Sequence, residues 1–176
     1  LQVLEAPPVD PFAVPTFTVQ KVLALDGELR LARRLKVAGV VTGQRKDALY
    51  LEDESGALRV ESPAAANVKV GDAIEVVGFP TERGAGVALA EPLIRSVQGS
   101  AKWSPPLLEP DESMHVSNNC RLVSINAVLL AQHPGGEVQT LDVQSGQRAF
   151  QASLPVAVGA LPSLAVGSRL QLTGVA

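Results

Sequence analysis

Apolar and polar positions alternate in short runs between residues 35 and 97, and these runs predict a series of β-strands. The first run, KVAGVVT, is apolar and rich in β-branched residues, which favours a strand. Ser55-Gly56 and Val70-Gly71-Asp72 have the composition of tight turns and separate the later runs. The predicted strands are Leu35–Thr42, Ala48–Asp53, Ala57–Glu61, Ala73–Phe79 and roughly Val87–Val97.

The order and spacing of these strands fit a small Greek-key barrel of the oligonucleotide/oligosaccharide-binding (OB) type. The segment between the third and fourth strands, SPAAANVKVGD, is too short and too interrupted by proline for a long helix. Barrels of this kind carry many unrelated functions, so the fold alone does not predict an activity.

The same pattern returns later in the chain. Leu141 to Gly146 matches Leu51 to Gly56, and Leu164 to Val175 matches Val68 to Phe79, with Gly167 and Gly174 in the places of Gly71 and Gly78. The offset between the copies grows along the chain, which predicts a loop insertion within residues 154–163. The strands predicted for this second copy are about Cys120–Ala131, Glu137–Gln144, Gln147–Leu154 and Arg169–Val175.

The overall prediction is an all-β chain of two tandem OB-like barrels with a short helical N-terminal segment. The second copy ends after its fourth strand, whereas an OB barrel needs a fifth strand to close. We therefore expect the second barrel to be truncated or to be completed by another segment, for which the N-terminal segment is a candidate. The predicted division is an extended leader with helical turns (1–34), the first barrel (35–98), a proline-rich linker (99–113) and the second barrel (114–176).

Charge and cysteine content restrict the function classes. The 15 basic and 18 acidic residues give a net charge of −3, so no broad attraction to phosphate backbones or anionic lipid is expected. The single cysteine, Cys120, excludes an internal disulfide and is expected to be a small buried hydrophobe. No apolar run approaches the length of about 18 residues that a membrane span requires. Because the chain begins at Leu1 rather than methionine, we expect it to be a fragment.

The sequence offers no convincing catalytic, metal or cofactor site. His115 and His133 lack the spacing of metal ligands and are expected to be polar surface residues. The acidic run Glu52-Asp53-Glu54 would point to two sides of a strand, and it is followed by Ser55-Gly56, so a turn is the favoured interpretation. No phosphate-binding loop and no glycine-rich dinucleotide fingerprint occurs.

OB proteins that bind single strands use the outer face of their second and third strands, with stacked rings and cations. If the leucines of those strands face the core, this face of the first barrel carries one aromatic ring and no net positive charge, so nucleic acid is disfavoured. For a small ligand or a protein partner, the candidate binding residues are Tyr50, Arg59, Glu61 and Trp103. The alternative basic patch, Arg33, Arg34 and Lys36, is more simply explained as a solvated face.

Residues 37–79 resemble a module of the extracytoplasmic sensory part of bacterial transmembrane histidine kinases and related signalling proteins. The resemblance lies in GVVT (residues 39–42), LYLEDESG (residues 49–56) and the segment from Val70-Gly71-Asp72 to Gly78-Phe79. It implies two OB-like barrels on the periplasmic side of an inner-membrane protein, attached through flanking segments. No catalytic or ligand-binding residue is carried over from that family.

The leading functional hypothesis is therefore a non-catalytic sensing or interaction module that binds a small ligand or a protein partner, without a cofactor. Two alternatives stay open. One is a single-stranded nucleic-acid-binding OB protein, and the other is a structural or dimerisation module in which the edge of the unclosed second barrel self-associates.

Overall fold

The computed structural model of the chain describes residues 8–25, 33–61, 68–83, 86–100, 103–110, 112 and 115–176. The chain is all-β, as predicted, and divides into two compact units. The first unit comprises residues 1–104, 116–121 and 175, and the second comprises 105–115, 122–174 and 176. Among the described residues, no helix is both long enough and apolar enough to cross a bilayer.

The first unit opens with a 3₁₀ turn and a short helix and continues as a barrel. Its elements are the turn Pro11–Ala13, β1 (Thr16–Phe17), α1 (Val19–Leu23), β2 (Leu35–Arg45), β3 (Ala48–Asp53), β4 (Gly56–Glu61), β5 (Asp72–Arg83) and β6 (Gly86–Ser100). Helix α1 confirms the predicted helical turns over residues 19–23. The remainder of that prediction, residues 26–32, lies outside the described residues.

Strands β2 to β6 form a closed five-strand barrel in the order β2-β3-β4-β6-β5, with β5 pairing back to β2. All neighbouring strands are antiparallel except β4 and β6, which run parallel with Val60 opposite Leu89. This is the strand order of an OB barrel, and it confirms the prediction. Strand β5 is longer than predicted because its pairing with β6 continues to Arg83 opposite Gly86.

The core of the first barrel is built from one face of every strand and from the buried side of α1. Val19 and Val22 of α1 are fully buried, and Thr18 caps this helix by accepting a hydrogen bond from the Lys21 backbone N–H at 3.4 Å. Burying a leucine or valine side chain contributes about 1.5–3 kcal/mol, so this cluster dominates the stability of the unit. The fully buried large side chains include Val37, Leu49, Leu51, Leu58, Val60, Ile74 and Leu89.

The second unit is an open sheet. Its elements are β7 (Leu107–Leu108), β8 (Leu122–His133), β9 (Val138–Ser145), β10 (Arg148–Pro155), a 3₁₀ turn (Val156–Val158) and β11 (Arg169–Val175). The strand order is β10-β9-β8-β11, with β7 pairing parallel to β8. The described residues supply no fifth strand between β10 and β11. The predicted repeat is therefore present up to its fourth strand, and β7 lies within the segment predicted as a linker.

The proposal that the N-terminal segment completes the second barrel is wrong for its described part. Thr16 and Phe17 instead form β1, which pairs parallel to Lys36 and Val37 of β2 within the first unit. The reason is geometric, since β3 pairs with β2 only from Val40 onward and leaves the start of β2 with an unpaired edge. Residues 1–7 lie outside the described residues.

Strand β7 repeats this arrangement in the second unit. It pairs with β8 at Ser124 and Ile125, whereas β9 pairs with β8 only from Val128 onward. Each unit thus carries a two-residue parallel strand on the edge of its first long strand. The repeat extends further toward the N-terminus of each copy than the sequence comparison indicates.

Candidate functional site

Three of the predicted binding residues, Tyr50, Arg59 and Glu61, lie on the outer β3–β4 face of the first barrel, where the alternation of side chains also predicts an exposed Glu52. Tyr50 and Arg59 lie opposite each other in the strand pair, as a shared face requires. The expectation that this face is open to solvent is wrong at two positions. Tyr50 is 8% exposed and Glu52 is 0% exposed, so neither presents a surface for stacking or for ion binding.

The face is buried because a later part of the first unit, residues 116–121, lies against it. The 3₁₀ turn Val116–Asn118 packs on β4, and the Arg121 Nε donates a hydrogen bond to Glu52 Oε1 at 2.8 Å. Burial raises the pKa of the Cys120 thiol, and the nearby Arg59 charge with a hydrogen bond from the Arg59 backbone only partly offsets this. The chain itself therefore occupies part of the surface on which OB proteins bind strands.

The remaining charges of this face are paired. Arg59 forms an ion pair with Asp47, and Glu61 forms one with Arg83. Trp103 is half-buried, and its indole Nε1 is buried without a hydrogen-bond partner among the described residues. The structure thus brings Tyr50 and Arg59 together. The Arg59 guanidinium pairs with Asp47, but its buried Nε has no hydrogen-bond partner among the described residues.

The acidic run at the β3–β4 turn has a structural role. Asp53 Oδ1 accepts hydrogen bonds from the Ser55 backbone N–H at 2.8 Å, the Ser55 hydroxyl at 2.6 Å and the Gly56 N–H at 3.0 Å. Its Oδ2 accepts a further bond from the Val19 N–H at 2.9 Å, at the start of α1. This confirms the turn interpretation. No group of three His, Cys, Asp or Glu side chains that could hold a metal ion occurs in the part of the chain that the structure describes.

The alternative basic patch is also engaged within the fold. The Arg34 guanidinium lies 4.9 Å from the centroid of the Phe79 ring and 3.6 Å from the Glu91 carboxylate. Lys36 Nζ donates to the Phe12 carbonyl at 2.8 Å. Arg33 is exposed. Two of the three cations therefore have partners in the first unit, which reduces the charge that this patch can offer to phosphate.

Glu75 of β5 contacts both Lys36 and Arg95, and these contacts predict that the stability of the first unit depends on pH. Arg95 Nε donates to Glu75 Oε2 at 2.9 Å, and Lys36 Nζ lies 3.6 Å from Glu75 Oε1. The hydrogen bond from Arg95, and then the charges of Arg95 and Lys36, lower the pKa of Glu75 despite partial burial. A carboxyl group with a lowered folded pKa contributes stability above its unfolded pKa and loses it as the pH falls through the folded value.

We therefore expect Glu75→Gln to lower the free energy of unfolding near pH 7 by up to about 1 kcal/mol, because the pair is only partly shielded from solvent. The difference between the variant and the wild type should shrink as the pH falls below the folded pKa of Glu75. Urea denaturation at several pH values measures this difference in the free energy of unfolding. Glu54→Gln, at an exposed position of the same barrel, is the matched control. A loss of stability in Glu75→Gln that stays the same at acidic pH would contradict the ionic origin of the effect.

A polar cluster of His133, Asp142 and Gln151 lies on the surface of the second unit. The exposed His133 Nε2 lies 2.7 Å from Asp142 Oδ2, and Gln151 Nε2 donates to Asp142 Oδ1 at 3.0 Å. The Gln151 hydrogen bond, and then His133, lower the pKa of Asp142. His133 and His115 are both exposed, which confirms their prediction as surface residues. The cluster joins β8, β9 and β10 across the outside of the sheet.

The most unusual feature of the second unit is its open side, which we define as the gap between β10 and β11. It is lined by Phe150 and Ala152 of β10 and by Leu170 and Leu172 of β11, all of which pack on the buried core of the unit but stay partly exposed. The inward-facing side chains of the equivalent strands in the first barrel, Leu58, Val60, Ile74 and Val76, are at most 1% exposed.

Comparisons with known proteins add little to this description. No family model matches the chain, and no curated protein matches it. Among solved structures, the hypothetical protein ygiW from E. coli is 21% identical, with a TM-score of 0.40 over 48% of this chain and 91% of that one. The telomere capping protein Ten1 from Saccharomyces pombe is 19% identical, with a TM-score of 0.37 over 48% of this chain and 81% of that one. At this level of similarity, nothing about a ligand or a partner transfers.

Proposed function

We propose that this chain is a non-catalytic OB-type interaction module that binds a small ligand or a protein partner. The observation that carries the proposal is the open side, where inward-facing apolar side chains stay partly exposed although the equivalent side chains of the first barrel are buried. Exposed apolar surface that is continuous with a hydrophobic core is typical of sites that a partner covers.

A finer part of the proposal concerns cellular context. We propose that the module belongs to the extracytoplasmic, sensory part of a bacterial membrane-bound signalling protein, with a sensor histidine kinase as the leading candidate. This part rests on the sequence resemblance of residues 37–79 alone. Binding of a partner to the second unit would then be the event that the signalling protein detects.

Nucleic acid binding is the second candidate, since OB barrels often have this activity. Its requirements are a ring for stacking and unpaired cations on the β3–β4 face. Tyr50 is buried, Arg59 is paired with Asp47, and residues 116–121 cover part of the face. These contacts favour the protein-binding function.

Two binding experiments with the intact chain distinguish protein binding from nucleic-acid binding. In the first, immobilised chain selects from a displayed library of random linear peptides. In the second, fluorescence anisotropy follows labelled single-stranded DNA and RNA at low and at physiological salt. We expect enriched peptides and no salt-sensitive oligonucleotide binding. Oligonucleotide affinity that falls steeply with salt, without peptide enrichment, would show that the nucleic-acid function is the correct one.

A further inference from the structure

Residues 116–121, which we call the covering segment, lie on the β3–β4 face of the first unit. The 3₁₀ turn Val116–Asn118 packs on β4, and Arg121 Nε donates a hydrogen bond to Glu52 Oε1 at 2.8 Å. Glu52 is 0% exposed, so the guanidinium supplies a counter-charge to a carboxylate without access to water. A buried carboxylate needs such a cation, because burial of an unpaired charge is costly. The position of Arg121 therefore marks a cation site on this face.

Two local features raise the free energy of the closed arrangement. Cys120 has a φ of 66°, in the left-handed region that residues with a Cβ rarely adopt. The Nε atom of Arg59, which lies beside Cys120, is buried and has no hydrogen-bond partner among the described residues. A strained backbone persists only where its surroundings hold it, and a buried unpaired donor costs free energy. Release of the covering segment would relieve both costs, because the backbone could relax and water could reach Arg59.

The covering segment also buries little of its own surface. Its side chains are exposed at Ser117 and Asn119 and half-buried at Asn118, Cys120 and Arg121. Segments with few buried contacts open locally at a lower free energy than the fold as a whole. The contact with the β3–β4 face therefore has the properties of a reversible one, held mainly by the pairing of Arg121 with Glu52.

We propose that the covering segment is autoinhibitory and closes a site for an extended segment of another protein, whose arginine takes the place of Arg121 on Glu52. The chain itself shows the chemistry of the occupant, since a guanidinium already lies at the site. Arginine suits it because the planar guanidinium matches a carboxylate. Arg59 on the same face is paired with Asp47, so it does not compete for this carboxylate. The inference goes beyond the proposed function, because it concerns the first unit and not the open side.

Release of the covering segment and binding of a partner are thermodynamically coupled. A partner that binds only the open arrangement shifts the population towards it, to the extent of its affinity for that arrangement. The apparent affinity is lowered by the fraction of molecules that are open. The covering segment thus restricts the site to partners that bind tightly or are present at high concentration.

The thiol of Cys120 reports opening in the intact wild-type chain, because this is the only cysteine in the sequence. A thiol reagent that reacts slowly compared with closing measures the open population. The probe is a peptide with the sequence of residues 115–122, HVSNNCRL, in which serine replaces the cysteine so that the peptide does not react. In the control peptide, alanine also replaces the arginine.

We expect the arginine peptide, at saturation, to raise the labelling rate of Cys120 at least about tenfold, which corresponds to about 1.4 kcal/mol. The physical reason is that the bound peptide displaces the covering segment and exposes the thiol. The control peptide should leave the rate nearly unchanged, because it brings no counter-charge to Glu52. This measurement uses the wild type alone and does not depend on whether a variant folds.

Two matched variants locate the site. Glu52→Gln removes the buried carboxylate, whereas Glu54→Gln removes a carboxylate at an exposed position of the same barrel. We expect the arginine peptide to lose its effect on Cys120 labelling in Glu52→Gln and to keep it in Glu54→Gln. Because Glu52→Gln also loosens the covering segment, the quantity compared is the ratio of the labelling rates with and without peptide in each protein.

The contrary results are distinct. A Cys120 labelling rate that the arginine peptide leaves unchanged or lowers would overturn the inference, and so would equal acceleration by both peptides. Acceleration by single-stranded DNA and not by the arginine peptide would assign the uncovered face to nucleic acid instead. Library peptides that bind the chain without changing Cys120 labelling would uphold the proposed function even where this inference fails.

Discussion

Replacing Arg121 by alanine is expected to destabilise the first unit by about 3 kcal/mol and to make Cys120 reactive toward thiol reagents. Arg121 is the ion-pair partner of Glu52, which is fully buried, whereas the Arg121 side chain is 27% exposed. Removing the guanidinium leaves a buried carboxylate without its counter-charge. Glu52 has further contacts in the fold, and they keep the expected loss of stability at the lower end of the range for buried ion pairs. Residues 116–121 would then detach from the β3–β4 face.

The thiol measurement is well defined because Cys120 is the only cysteine in the chain. Burial raises the pKa of its thiol, so the folded wild type should react slowly at neutral pH and the variant faster. Chemical denaturation gives the stability of both proteins. Reaction of Cys120 at the wild-type rate in Arg121→Ala would contradict the role of this ion pair in holding the segment.

A double variant separates the effect of the buried Glu52 charge from the effect of the lost hydrogen bond to Arg121. In Glu52→Gln/Arg121→Ala the buried side chain is neutral, so the protein should be more stable than Arg121→Ala alone. Cys120 should nevertheless stay reactive, because the hydrogen bond from Arg121 to Glu52, one of the contacts that hold residues 116–121, is still missing. Equal stability of the single and double variants would show that the buried charge is not the source of the loss.

Most strands could be predicted from the sequence because their determinants are local. Ala48–Asp53 and Arg169–Val175 have the same bounds in the sequence prediction and in the structure. Period-two alternation and glycine-containing turns act over a few residues, so a single sequence contains the necessary information. The repeat then identified the second unit because its turn residues recur in the same order.

The covering of the β3–β4 face could not be predicted from local sequence patterns. Alternation correctly assigned Tyr50, Glu52 and Arg59 to the side away from the barrel core, but it carries no information on what covers that side. Arg121 lies far from Glu52 in sequence, and no local sequence feature around either residue indicates that the two side chains form a pair. Strands β1 and β7 were missed for a related reason, since two residues are too few to show a period.

The motif residues that support the family resemblance have structural explanations. A Cβ atom at Gly39 of the GVVT motif would lie 2.5 Å from the backbone oxygen of Glu52, so this position of the barrel accepts no side chain. Asp53 organises the β3–β4 turn and the start of α1. These residues indicate how the barrel is built, and a functional assignment must come from other features.

A pair of equivalent glycines offers the sharpest test of the open second barrel. Gly78 in β5 and Gly174 in β11 match in the sequence repeat. In the closed barrel, a Cβ at Gly78 would lie 2.8 Å from the backbone oxygen of Ala90 in β6, so Gly78→Ala should destabilise the protein by about 2 kcal/mol through overpacking. At Gly174 nothing among the described residues lies within 4 Å of the added Cβ, and these residues place no strand beside β11 in the way that β6 lies beside β5.

Gly174→Ala should therefore change the free energy of unfolding by no more than about 0.5 kcal/mol, and the smaller conformational freedom of alanine in the unfolded chain can even raise it. Denaturant titrations of the two variants give this comparison directly. Equal destabilisation by both substitutions would mean that the second barrel is already closed in solution.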